Sequence, residues 1–170
     1  MASTITAADL KVKITEEVIL NGKDQGGTTE LTIASIANAV KRIVNIGTDE
    51  IGLLGFGTAY NTELSKTYLA GQFDEDTVRY IRITNLDDSN HIALILKNEN
   101  NDEFGVKVDR GCSFIYGVDL DAGTEATLTS GTSALSIGAG DTLNNLIDIV
   151  GIANGGDCKL EVFVASLDAA

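Results

Sequence analysis

Apolar and polar side chains alternate with a period of two in five separate stretches, residues 11–15, 78–84, 91–97, 104–108 and 159–164. That period sends successive side chains to opposite faces of a sheet, so each stretch predicts a half-buried β-strand. The intervening segments are rich in Gly, Asn and Asp, the residues that supply turns.

Near the N-terminus the even positions Leu10, Val12, Ile14, Val18 and Leu20 are apolar, with Glu16 the exception, which predicts a first strand over residues 10–20. Asn21-Gly22, followed by Gly26 and Gly27, supplies positive φ at low steric cost and predicts a reversal, with residues 28–33 returning as the second strand of a hairpin. Residues 35–44 also fit helical spacing through Ile36, Val40, Ile43 and Val44. β-Branched side chains crowd the end of that segment, however, and favour a short turn followed by a strand over residues 40–46. A glycine-punctuated strand is predicted over residues 50–57, and residues 58–73, polar and loosely patterned, read as an extended surface loop.

The strongest block comprises residues 77–84, 91–97 and 103–108, joined by two polar linkers, and predicts an antiparallel meander. Residues 112–116, 126–128 and 158–166 add further strands, while residues 143–152 fit either a helix or a strand. Nine or ten strands, roughly, are expected in total. With no internal repeat and no dividing linker, residues 1–170 are expected to form a single all-β domain, an antiparallel β-sandwich or jelly-roll-like fold with long loops and at most one or two short helices. Residues 1–9 are a candidate N-terminal arm, able to add as a strand to the sheet edge of a neighbouring subunit.

Size and composition sharpen this picture. The 170 residues can build a core without a staple, since a chain of about 150 residues buries roughly 68–70% of its unfolded surface. Hydrophobic residues make up 44% and aromatics 5%, so the core is expected to consist of Val, Ile, Leu and Ala rather than ring-walled pockets. Proline is absent, which leaves every backbone N–H free to donate in a ladder, although composition drift in an AT-rich genome leaves the same mark. The formal net charge of −13 disfavours nucleic acid and anionic membrane surfaces as partners. The first residues lack the basic start and apolar run of a signal peptide, and no window approaches the about 18 apolar residues of a membrane span, so synthesis in the cytoplasm is expected.

Residues with chemical potential are few. Cys112 and Cys158 match no metal or redox spacing and are expected to be buried free thiols; whether they pair cannot be read from spacing. The single histidine, His91, begins a strand beside Asn90 and reads as a turn-flanking residue rather than a catalytic base. Zinc is a poor fit, because His91 and the two cysteines are too few for four ligands. Asp119, Asp121 and Gly123, or Asp87 and Asp88, supply oxygens of the kind calcium takes, but the twelve-residue loop pattern is missing and solvated turns are the simpler reading. The glycine stretches 52–57 and 131–140 lack the ending of a phosphate loop and the dinucleotide fingerprint. Arg79 and Arg82 fall on opposite faces of one strand, so they form no joint basic patch, and one is expected to pair with an acid. No catalytic residue, cofactor site or metal site is therefore assigned, and an enzyme is not expected.

Three segments carry a family likeness: Val78-Arg-Tyr-Ile-Arg-Ile-Thr-Asn-Leu-Asp-Asp-Ser-Asn90, Asp109-Arg-Gly-Cys-Ser-Phe-Ile-Tyr116 and Leu160-Glu-Val-Phe-Val-Ala-Ser166. Together with Ile14-Thr-Glu-Glu-Val-Ile-Leu-Asn-Gly22, they make the chain resemble small virion structural proteins of marine tailed bacteriophages, including those infecting cyanobacteria. The resemblance implies a non-enzymatic β-sandwich or jelly-roll-like subunit on the virion, a capsid decoration or cement protein. It would act as a homo-oligomer, a trimer among the options, alongside the major capsid protein. It brings no catalytic residues to transfer.

Two alternatives stay open: a tail- or fibre-associated structural protein, and a carbohydrate- or receptor-binding β module presenting its polar loops. The second is short of aromatic faces, since Tyr60, Tyr68, Tyr80 and Tyr116 are the only tyrosines and there is no Trp.

Overall fold

Thirteen β-strands and no helix make up the described residues of the computed structural model, namely residues 6–57, 68–74, 76–98, 103–117 and 146–168. In chain order they are β1 (Ala8–Glu16), β2 (Ile19–Leu20), β3 (Lys23–Asp24), β4 (Gly27–Ile36), β5 (Asn38–Ile46), β6 (Ile51–Phe56) and β7 (Gly71–Phe73). There follow β8 (Val78–Asn85), β9 (Ile92–Asn98), β10 (Glu103–Val108), β11 (Ser113–Gly117), β12 (Leu146–Ala153) and β13 (Cys158–Ser166). The strand predicted at residues 126–128 lies outside the described residues, as do residues 58–67 of the expected loop.

Two sheets face each other, one in the order β11-β8-β13-β5 and the other in the order β10-β9-β12-β6-β7. Leaving aside β7 and the N-terminal hairpin, the other eight strands in chain order are β5, β6 and β8 to β13. The first, eighth, third and sixth of them form one sheet, and the second, seventh, fourth and fifth form the other. This is the strand order of an eight-stranded jelly roll, a sandwich built from two interlocking Greek keys.

The alternation seen in the sequence produces the core. Ile81 and Ile83 of β8, Leu160, Val162 and Val164 of β13 and Ile46 of β5 meet Ile92 and Leu94 of β9, Leu54 of β6 and Ile149 of β12. Each such side chain contributes roughly 1.5–3 kcal/mol when fully buried, which accounts for a fold that needs no disulfide. Where β12 comes close to its neighbours, Gly151 leaves room for Leu53 and Ile46, whose methyls would stand 2.8 and 3.2 Å from a β-carbon at that position.

Several sequence expectations need correction. The predicted meander is split, because β9 pairs with β10 while β8 pairs with β11 and β13 in the opposite sheet. The linker after Asn85 is thus a crossing between sheets rather than a hairpin turn. Residues 71–73, expected in a loop, form a short strand parallel to β6. The ambiguous segment 35–44 is strand nearly throughout: β4 runs to Ile36, and β5 starts at Asn38, two residues before its expected beginning. Ser35 takes a positive φ of 61° just before this change of sheet. Of the helix-or-strand segment 143–152, the described part, from residue 146, is strand. The closing strand over residues 158–166 matches its expected limits.

Candidate interaction surface

The N-terminal hairpin stands apart from the two sheets. β1 and β4 pair antiparallel from Glu16↔Gly27 back to Leu10↔Ile33, and the same register continues through Ile19↔Asp24 and Leu20↔Lys23. Asn21 and Gly22, with φ of 52° and 74°, close it as a two-residue turn. Both angles lie in the left-handed region, where Asn and Gly are the residues best tolerated, so the Asn-Gly signal in the sequence fixes the tip.

One face of this ribbon carries Leu10, Val12, Ile14, Val18 and Leu20 from the outgoing strand, with Leu31 and Ile33 from the return. Its proximal half is docked: Ile33 and Ile36, with Leu10 and Val12, pack on Tyr80, Phe163, Ala165 and Leu167 on the outer side of the β11-β8-β13-β5 sheet. The Tyr80 and Phe163 rings meet edge to face there, with centroids 6.0 Å apart. Further out, Leu31 reaches Gly117 in the edge strand β11, where a β-carbon would lie 3.5 Å from its methyl. Beyond that edge none of the described residues covers the apolar face. Ile14, Val18 and Leu20 are exposed on it, and Ile19, on the opposite face, is 76% exposed.

The described part of the candidate arm, residues 6–9, leads into this ribbon, and Ala8, the first residue of β1, pairs with Ile36 in the chain's own hairpin. Among the described residues, the element that projects is the hairpin.

The same outer sheet face is half covered. Past the hairpin it presents Ile43, 63% exposed, and Ile115, with Lys41, Arg82 and Lys159 among them. Glu161 lies between two of these cations, accepting from Lys41 Nζ at 2.7 Å and Arg82 Nη2 at 2.6 Å. Lys41 first, then Arg82, hold its carboxyl below the ordinary glutamate range. The expectation that one arginine pairs with an acid is met by Arg82. Arg79 is buried, its Nη1 donating to the carbonyls of Asp76 and Val78.

Among the described residues, the remaining candidates from the sequence lie in turns or at the start of a strand. Asp87 accepts from the backbone N–H groups of Ser89 and Asn90 at 2.8 and 2.6 Å, which depresses its pKa; Asp88 accepts from the Ser89 hydroxyl at 2.7 Å. Their oxygens close a turn. Among the described residues, no group of three or more His, Cys, Asp or Glu side chains is placed to hold a metal ion. Asp119, Asp121 and Gly123 lie outside the described residues, as do Tyr60 and residues 131–140. His91 Nδ1 is 3.2 Å from the Asn154 amide nitrogen at one end of the sandwich. Cys158 is buried as expected, but Cys112 is exposed, and both are free thiols.

Two polar groups that sequence reasoning missed are buried. Asp148 lies on the outer side of the five-stranded sheet, opposite Lys97 in register, and accepts from the Tyr68 hydroxyl at 3.5 Å. Asn85 ties the crossing between the sheets, its Nδ2 donating to the carbonyls of Asn90 and Val108 at 2.9 and 3.3 Å. Neither had a signal in the sequence, because both are polar residues at the end of a strand or within an apolar run, where exposure is the default expectation. No protein-family model matches the chain, and neither the curated proteins nor the solved structures show a significant match to it.

Proposed function

We propose that this chain is a non-enzymatic structural subunit of a virus particle, a decoration or cement protein on the outer surface of a tailed phage head. One observation carries the reading: an amphipathic hairpin is seated by its base on a jelly roll and extends its apolar face past the edge of the fold. An isolated two-stranded ribbon is marginal in water, so the distal half gains stability when another subunit covers it. Jelly rolls serve viral shells and also sugar-binding domains, so the fold alone does not choose between them. The apolar hairpin favours assembly. Sugar binding finds less support, since Tyr68 and Tyr80 are buried and Tyr116 packs against the core. A tail- or fibre-associated position uses the same contact chemistry and is the alternative site on the particle.

Co-sedimentation of the purified protein with phage heads stripped of their outer proteins tests the reading. Saturable binding to heads, and none to isolated tails, is the expected result. Binding to tails alone moves the protein to the alternative site, and binding to neither overturns the proposal.

A further inference from the structure

We infer that the distal half of the hairpin docks on the uncovered part of the outer sheet face of a second copy of this chain. The inference rests on the structural-subunit reading and names the partner of its projecting element.

The molecule carries both halves of the contact. The hairpin end carries exposed Val18 and Leu20 on one face, with Glu16 and Lys23, and exposed Ile19 on the other, with Glu17 and Asp24, so that as a whole it holds three carboxylates and a single cation. The open sheet face combines exposed Ile43 and Ile115 with Lys41, Arg82 and Lys159 and a single carboxylate, Glu161. In a chain of net charge −13, a surface with a cationic excess is the exception. Like-charge repulsion opposes most encounters between copies and leaves this pairing favoured.

Two further observations point the same way. The face in question already accepts the proximal half of the same ribbon, through Leu10, Val12, Ile33 and Ile36 on Tyr80, Phe163 and Ala165. The open part continues that surface strand by strand, since Glu161 faces Ile43 and Phe163 faces Lys41 across the β13–β5 ladder. Nor can the tip fold back onto its own sheet. Leu20 follows Val12 by eight residues of extended chain, about 26 Å at 3.3 Å per residue, and the ribbon leaves over the β11 edge. Tip and face are different patches, so the contact forms as a reciprocal exchange of hairpins between two copies or head to tail, as a ring or an open chain.

Analytical ultracentrifugation of the full chain, in parallel with head co-sedimentation, tests this. The wild type is expected to self-associate reversibly, more weakly as salt rises. Leu20→Glu and Ile43→Glu are each expected to raise the dissociation constant by about tenfold or more, with circular dichroism and melting temperature unchanged. Lys159→Glu is expected to weaken association, and adding Glu16→Lys, on the same face of the hairpin as Leu20, to that variant to restore it. A wild type that stays monomeric at about 100 μM, or self-association indifferent to either Leu20→Glu or Ile43→Glu, overturns the inference. A monomer that still binds heads overturns the inference and leaves the structural-subunit reading standing; self-association without binding to any particle does the reverse.

Discussion

Tyr68 lays its ring against the bare α-carbon of Gly55: a β-carbon at position 55 would stand 2.5 Å from the ring edge. Gly55 belongs to β6 and faces Asp148 of β12 across the ladder, so the glycine makes the space in which the Tyr68 hydroxyl reaches the Asp148 carboxylate. The buried ring has little freedom to retreat. Gly55→Ala is therefore expected to destabilise the protein by about 1–3 kcal/mol through overpacking. Chemical denaturation checks this, and pairing the substitution with Tyr68→Ala, which vacates the space, is expected to recover part of the loss; equal losses with and without Tyr68 contradict the account.

The same tyrosine sets an alkaline limit. Burial first, then the negative charge of Asp148, push the Tyr68 pKa up to about 12. Its unfolded value is near 10, so the folded state holds the proton more tightly, and the resulting stability is complete below pH 10 and lost as pH rises towards 12. Tyr80 shifts in the same direction, chiefly through burial. Melting temperatures measured from pH 8 to 12 are expected to fall less steeply in Tyr68→Phe than in the wild type.

At the acid end Glu161 acts with the opposite sign. Its carboxyl titrates lower in the folded state because Lys41 and Arg82 bond to its ionised form. The stability this supplies is present above the ordinary glutamate range and disappears as pH drops through the lowered value. Glu161→Gln is expected to melt below the wild type at pH 7 and to converge with it towards pH 3; a constant gap across that range counts against the ion pairs as the cause.

The two thiols are expected to separate by accessibility. Cys112 is exposed and Cys158 buried, and burial first, then the charge of Asp87, raises the Cys158 pKa. Because the thiolate is the reactive form, a thiol reagent at pH 8 is expected to titrate one group in the native protein and two in denaturant. Two fast groups under native conditions reject this placement.

Asn85 is expected to be the most sensitive polar position. Besides the two bonds donated by its amide, its side-chain oxygen accepts from the Asp87 N–H at 3.0 Å, and its backbone bonds Cys112 and Gly111. Asn85→Ala removes both amide donations and the oxygen that accepts from Asp87, at roughly 1–3 kcal/mol for each buried group left unsatisfied. A fall in melting temperature of several degrees is expected, against almost no change for the exposed Asn45→Ala; calorimetry of the two variants side by side makes the comparison.

The all-β class, the closing strand and the Asn21-Gly22 hairpin were legible in the amino-acid sequence because each depends on near neighbours. A two-residue period exposes which side chains share a face, and an Asn-Gly pair carries its own backbone preference. The amphipathic stripe from Leu10 to Leu20 was visible too, though not that half of it lies beyond the fold. Sheet membership was settled only in three dimensions. β8 and β9 are joined by a short polar linker that reads like a hairpin turn, yet they enter opposite sheets, because β8 finds its partners in β11 and β13, and β9 in β10 and β12. Pairing between strands so distant in sequence is decided by the packing of whole sheet faces, and no local pattern records it. The burial of Asp148, Asn85 and Arg79, the glycine beneath Tyr68 and the cationic face around Glu161 follow from that same arrangement, since each depends on strands far apart in sequence coming together as sheets.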